Sequence, residues 1–338
     1  MDETGAGATR SVAALAVALA AAAAGALTAG AYHVSLADLG RIVASRLGLA
    51  APDTGVAAAV LWNLRLPRVV LAVTVGAALA ASGAVFQGAF RNPLVEPYIL
   101  GVSSGAAFGA ALGLVVPRFP FSVQLAAFAG AVAAVGLVYL LARSRHDAPV
   151  VTLVLSGLIV GSVFAAGVAI LKYMASDAAL RDVVFWLMGG LSFAGWQDVR
   201  VAVPVVALAA GVMAAGGWTL NVLSMGDHEA ETLGVDPRRA RLVLLAAATL
   251  ATAVSVSVVG IVPWIGLMAP HAIRLWLGPD NRIVVPASAL LGALLLLACD
   301  TAARSLTAAE IPVGIVTALA GAPFLAYLVR QRTAGLFG

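Results

Sequence analysis

The sequence predicts an all-α integral membrane protein with about ten transmembrane helices, arranged as one domain over residues 1–338. Three observations carry this. Hydrophobic residues make up 62% of the chain and charged residues 11%, with a mean hydropathy of +1.02. Apolar runs of about 18 residues or more recur along the chain, each long enough to cross a bilayer. Glycine, proline and charged residues punctuate those runs.

Taken in order, the spans fall near 11–31, 64–88, 98–116, 121–142, 149–173, 196–217, 239–262, 264–277, 283–303 and 311–330. The first ends in small residues that imitate a cleavage site, but signal cores run about 7–15 residues behind a basic head. Here the apolar run is longer and "MDETGAGATR" holds two acids and one base, so a retained span is expected. The second span begins at Arg65 and Arg68, and the ninth closes at Arg304. The eighth is short and follows Gly260, Pro263 and Gly266, which predicts a broken helix. Trp62, Trp186, Trp196, Trp218 and Trp276 stand near span ends, where interfacial anchors belong. In "GAALAASGAVFQGAF" and "GVSSGAAFGAALGL", small residues repeat every three or four positions, which lets helices approach closely in lipid.

Net charge of +4 and an isoelectric point near 9.7 do not mark a nucleic-acid binder, because the arginines are scattered over loops and span ends. Ten spans put both termini on one side. If that side is the cytoplasm, Arg10, Arg91, Arg143, Arg145, Arg238, Arg239, Arg241, Arg282, Arg330 and Arg332 lie inside, which the positive-inside rule favours. The single Cys299 excludes an intrachain disulfide and reads as a packing residue. His271 and Arg274, without a clustered carboxylate or thiol, make a poor metal site, and no nucleophile–base pair is visible.

Against this background "GDHEAETLGVDPRRAR", residues 226–241, is a polar island. Asp227 can cap a short helix, with Glu229 and Glu231 in its first turns and Gly234 as its stop. Asp236 before Pro237 is an N-cap with proline at the first helical position. Either a compact helix lies outside the membrane here, or a solvated loop carries incidental helix.

Four stretches in order resemble the FecCD family, permeases of ABC importers for iron-siderophores, haem and cobalamin. "LRLPRVVLAVTVGAALAASGAVFQGAFRNPLVEPYILGVSSGAAFGA" is similar to the family's second and third spans, and the polar island resembles its cytoplasmic coupling segment, residues 226–236. "VGIVPWIGLMAPHAIRLWLGPDNR" resembles its G-L-x-x-P-H-x-x-R stretch, with Trp264–Ile265 where Phe-Val is usual. "LLLACDTAARSLTAAEIPVGIVTALAGAPFLAYLV" resembles its closing run.

The resemblance implies a homodimer in the cytoplasmic (inner) membrane of a bacterium or archaeon, both termini cytoplasmic. Two ATPase subunits would sit inside and a substrate-binding protein outside. It implies ATPase contact at Glu229, Ala230, Leu233 and Gly234, and binding-protein docking at Arg65, Arg68 and Arg304. Headgroup snorkelling is the other, less favoured physical use of arginines at span ends, and Asp300 four residues before Arg304 could orient it. Asn92 and Leu94 of the N-P-L turn, with Ser156 and Ser162 of the fifth span, would line or gate the pathway. Val150 and Val151 stand where the cobalamin type has small hydroxyl residues. The chain itself would bind no cofactor: Lys172 is its one lysine and no Walker A loop surrounds it, so ATP and magnesium belong to the partner. Metal chelates lead the substrate classes, iron-siderophore first, then haem or cobalamin, with molybdate or tungstate as alternatives. An ion-coupled secondary transporter is the rival class, but it should show ionisable groups along its spans, and few are present.

Overall fold

The computed structural model describes residues 3–30, 32, 34–46, 48–49, 51, 55–142, 150–306 and 310–334, the side chains of 3–6, 150 and 327–334 excepted. Arg143 and Arg145 lie outside the described residues, as do the side chains of Val150, Arg330 and Arg332.

Among the described residues all regular structure is helical: α1 Glu3–Thr28, α2 Leu36–Arg46, α3 Val56–Val60, α4 Leu66–Ala89, α5 Val102–Val115, α6 Val123–Ala142, α7 Val150–Met174, α8 Asp177–Leu187, α9 Trp196–Ala215, α10 Gly217–Met225, α11 Asp227–Thr232, α12 Pro237–Val259, α13 Ile265–Leu277, α14 Asn281–Ala303 and α15 Val313–Ala334. A π turn, Leu61–Arg65, joins α3 to α4, and a 3₁₀ turn, Pro97–Leu100, precedes α5. Seven helical stretches are long and apolar enough to cross a bilayer, and Val102–Val115 and Val313–Ala326 are shorter apolar helices. With α13, these match the ten expected spans.

The stretch Val56–Ala89 is the central column. Its apolar window is 78% buried against 11% for that of α1, so α1 is peripheral and α4 is enclosed. Helices α9, α12, α13 and α14 surround α4, while α5, α6 and α7 form a second packed group joined to the first through α12. Small residues permit this closeness. A Cβ on Gly83 would fall onto the Gly266 carbonyl of α13, and Gly76 meets the Gly292 backbone of α14 in the same way. Lipid tails offer no hydrophobic drive between spans, so such close backbone approach supplies the packing.

The expected break lies between α12 and α13. Gly260 and Trp264 both have left-handed backbones, φ 72° and 76°. Non-helical backbone at membrane depth must find partners inside the protein, and it does. Tyr98 donates its hydroxyl hydrogen to the Val262 carbonyl at 2.8 Å, and the Glu96 carboxylate accepts the Trp264 N–H at 2.9 Å.

Four helices lie outside the expected segments: α2, α3, α8 and α10. Of the five tryptophans expected as anchors, Trp218 and Trp276 are exposed as anchors should be. Trp62 and Trp196 instead pack on each other, 5.5 Å between ring centres, with the Trp196 indole donating to the Trp62 carbonyl. Trp186 packs against the core.

Candidate coupling site and outer arginine cluster

At one end of the bundle α11 stands out as a six-residue helix between two glycines that only glycine tolerates well, Gly226 at φ 145° and Gly234 at φ 78°. Its C-terminus is a Schellman cap: Val235 N–H bonds the Ala230 carbonyl at 2.9 Å and Gly234 N–H the Glu231 carbonyl at 3.0 Å. Asp236 then accepts from the N–H groups of Arg238 and Arg239, capping α12 as its sequence implies. Glu229, Glu231, Thr232, Leu233 and Gly234 are exposed, Leu233 by 52%. Ala230 is not: its methyl is fully buried in the core beneath the helix, so in this chain it packs inward while its neighbours face out. A helix only six residues long has one inward side, and Ala230 occupies it.

The cap of α11 also differs from expectation. Gly226 holds the N-cap position, and Asp227 turns its carboxylate sideways to two arginines. Arg91 reaches it at 2.7 Å, and Arg241 donates through both terminal nitrogens. These hydrogen bonds from Arg241, and the charge of both arginines, hold the Asp227 carboxyl below the usual carboxylate range. Beside it, α10 docks on the start of α14: the Asn221 amide donates to Asp280 at 2.6 Å and accepts from the Asn281 N–H at 2.8 Å.

Bonds from Arg282, then from Asn221, bring the Asp280 carboxyl down to about 2. A depressed carboxylate contributes stability above its unfolded value near 4 and loses it as pH falls through 2. Asp280→Asn should therefore lower the midpoint of thermal unfolding at pH 6 and cost progressively less from about pH 4 to pH 2. Thermal scans across that range check the convergence.

Arg91 belongs to the turn after α4, which carries Asn92 and Leu94. The helix ends in a second Schellman cap, Asn92 N–H to the Gln87 carbonyl at 3.1 Å and Arg91 N–H to that of Gly88 at 3.3 Å. Arginine fills the left-handed position, φ 52°, where glycine is usual. That conformation costs a side-chain-bearing residue roughly 1 kcal/mol, so its surroundings must hold it there. Asn92 accepts the Leu94 N–H at 3.0 Å, and Leu94 is 57% exposed. Nothing in the sequence joined Arg91, Asp227 and Arg241. The glycines bracketing α11 are the local signal that it is a separate unit.

About 39 Å away, at the start of α4, lies the arginine cluster. Arg65 donates to the carbonyls of Leu27 at 2.7 Å, Thr28 at 2.9 Å and Tyr32. Arg304 donates to Ala29 at 2.6 Å and to Ala26. Both guanidiniums thus satisfy the last carbonyls of α1 and oppose its dipole. Arg68 holds Asp300 through Nε at 3.0 Å and an Nη at 2.9 Å, and Glu310 at 2.8 Å. Ser192 donates to the same Glu310 at 2.9 Å. The Asp300–Arg304 pair expected from spacing is loose, 3.7 Å, because Arg304 turns to α1 and Arg68 takes the carboxylate. The docking arginines therefore already have acceptors in the chain, and the most exposed charge of the cluster is Glu310.

On α7 the two serines part. Ser162 is exposed and its hydroxyl donates to the Leu158 carbonyl, whereas Ser156 is buried. Gly157 lies against the Ile99 carbonyl, a packing role. Val151, Leu155, Leu158, Ile159 and Val163 form an exposed apolar face. Deeper in the bundle Arg274 donates to the Gln87 side chain, tying α13 to α4, and His271 stands edge-on to Phe324 of α15.

A multi-pass bundle with a broken central segment and an exposed polar helix at one end is the architecture of an ABC importer permease. The chain belongs to the FecCD transport family, which matches residues 9–331. It is a permease subunit of the ABC importer kind. It is 47% identical over 290 residues to the cobalamin import system permease protein BtuC of Halobacterium salinarum, covering 86% of this chain and 78% of that one. Identity to the hemin transport system permease protein HmuU of Yersinia pestis is 42%, covering 80% and 84%. The molybdate import system permease protein MolB of Haemophilus influenzae is 35% identical, covering 90% and 91%. Among solved structures, a metal-chelate type ABC transporter in an inward-facing conformation superposes with a TM-score of 0.85 at 33% identity, covering 96% of this chain and 99% of that one.

Proposed function

We propose that two copies of this chain form the membrane pathway of an importer in the cytoplasmic membrane of a bacterium or archaeon, with both termini inside. Two ATPase subunits close on bound ATP and magnesium and push on α11. A binding protein delivers substrate to the end that carries Arg65, Arg68 and Arg304. Alternating access then moves the substrate inward unchanged. The observation that carries this reading is α11 itself, an exposed helix between glycine joints whose outward face bears two carboxylates and Leu233. A connector between α10 and α12 needs no such body.

The proposed cargo is a metal chelate: cobalamin, haem or a ferric siderophore. The exposed face of α7 is apolar, and an oxyanion such as molybdate would have to shed water there without compensating donors. That favours a large, mostly neutral chelate. The relative with 47% identity makes cobalamin the first to test.

Uptake into proteoliposomes holding the permease, its ATPase and its binding protein decides the matter. One chelate should accumulate only with ATP, and Leu233→Asp should reduce its uptake at least about tenfold, as burial of a charge at an interface centre does. Uptake that persists without the ATPase, or follows an ion gradient, overturns the reading in favour of a secondary transporter.

A further inference from the structure

Helix α11 touches the rest of the chain in two ways. Ala230 packs beneath it, and Asp227 binds Arg91 and Arg241. Arg241 is part of α12, which continues from α11 within a few residues. Arg91 is not local: it stands 136 residues earlier, in the turn that ends α4 and presents Asn92 and Leu94. Among the side-chain bonds of the described residues, the Arg91–Asp227 pair alone joins α11 to that turn.

Both sides of the pair are built so that movement of one shifts the other. On one side the helix is bounded by Gly226 and Gly234, whose positive φ values leave the backbone at both ends less restricted than a residue with a side chain would. On the other, Arg91 sits at the left-handed cap, so a pull on its side chain acts on the residue that sets the direction of the Asn92–Leu94 turn. The pair is half exposed, 42% and 49% for the two side chains. An exposed ion pair contributes little to overall stability, so its loss need not unfold the bundle.

We propose that Arg91 and Asp227 are positioning residues that transmit displacement of α11 to the Asn92–Leu94 turn. The inference rests on the reading of α11 as the ATPase contact. Arg241 shares that carboxylate, binding both of its oxygens, one of them the oxygen that Arg91 binds, and so fixes its orientation toward Arg91.

The test is uptake per ATP hydrolysed by the complete complex in proteoliposomes, for Arg91→Gln, Arg91→Lys, Asp227→Asn and the Arg91→Gln/Asp227→Asn double variant. Leu233→Asp serves as the control. Expected is a fall of about tenfold in uptake per ATP for Arg91→Gln, the size of a typical coupling between sites. Hydrolysis should stay within about twofold, Arg91→Lys should recover part of the loss, and the double variant should be no worse than either single one. Unchanged uptake per ATP in Arg91→Gln, with coupling lost in Leu233→Asp, overturns the transmission role and leaves the contact reading intact. Coupling retained in Leu233→Asp overturns the contact reading itself. A parallel fall of hydrolysis and uptake in Arg91→Gln, or loss of the assembled complex, marks the pair as structural and also overturns the proposal.

Discussion

Asp300→Ala should destabilise the bundle by about 3–5 kcal/mol, the cost of removing one partner from a buried ion pair. The carboxylate is fully buried at the end of α14 and receives three hydrogen bonds from Arg68. Without it Arg68 keeps only Glu310, and Arg304 loses the carboxylate 3.7 Å away. Two guanidiniums, each little exposed, would then face one another across the vacated site. Asp300→Asn retains an acceptor and should cost less than the alanine variant. Unfolding of the detergent-solubilised protein by a denaturing detergent measures both. A cost under about 1 kcal/mol for the alanine variant would show that Arg68 is adequately neutralised by Glu310 alone.

Gly83→Ala should do comparable harm for a different reason. A methyl at this position in α4 meets the Gly266 carbonyl and Cα of α13, so backbone and not a mobile side chain has to give way. Overpacking of a tight core costs about 1–3 kcal/mol, and the upper part of that range applies where no rotamer can relieve it. Gly136→Ala in α6 and Gly211→Ala in α9 are the controls, since nothing lies within 4 Å of an added methyl at either place. Those two should be neutral, or stabilising by up to about 1 kcal/mol through helix propensity. The comparison is made by thermal unfolding in one detergent. Equal midpoints for all three variants would mean that α4 and α13 can separate without loss.

The spans were legible because length and apolarity are local properties: α1, α6, α7, α9, α12 and α14 end within a few residues of where punctuation put them. The shorter helices were not, since their signal is amphipathic and their composition mixed. For α2 a usable sign was present in "SLAD", where Ser35 accepts the Asp38 N–H and Asp38 accepts that of Ser35 in a reciprocal cap. The break before α13 and the stop at Gly234 followed from residue chemistry. Pairings between distant residues did not. Arg68 meets Asp300 across 232 positions and Arg91 meets Asp227 across 136, and no periodicity encodes such partners. Spacing favoured Asp300 with Arg304, but α1 offered Arg304 a row of free carbonyls that one chain segment cannot reveal. Burial separated the remaining site residues: Ser156 from Ser162, and Ala230 from Leu233.

The two arginines on the end of α1 bear on how the protein is made. Helix α1 is made well before α14, and one of the groups that complete its terminal carbonyls, Arg304, is synthesised 275 residues after its partner Ala29. At cellular translation rates that interval is roughly 15 to 55 s. During it α1 must wait in the bilayer with its last turn hydrated at the headgroups, held by Arg65 once the second span arrives. Final docking of the first helix is therefore a late event in biogenesis, and a chain truncated before α14 should leave α1 accessible to membrane quality control.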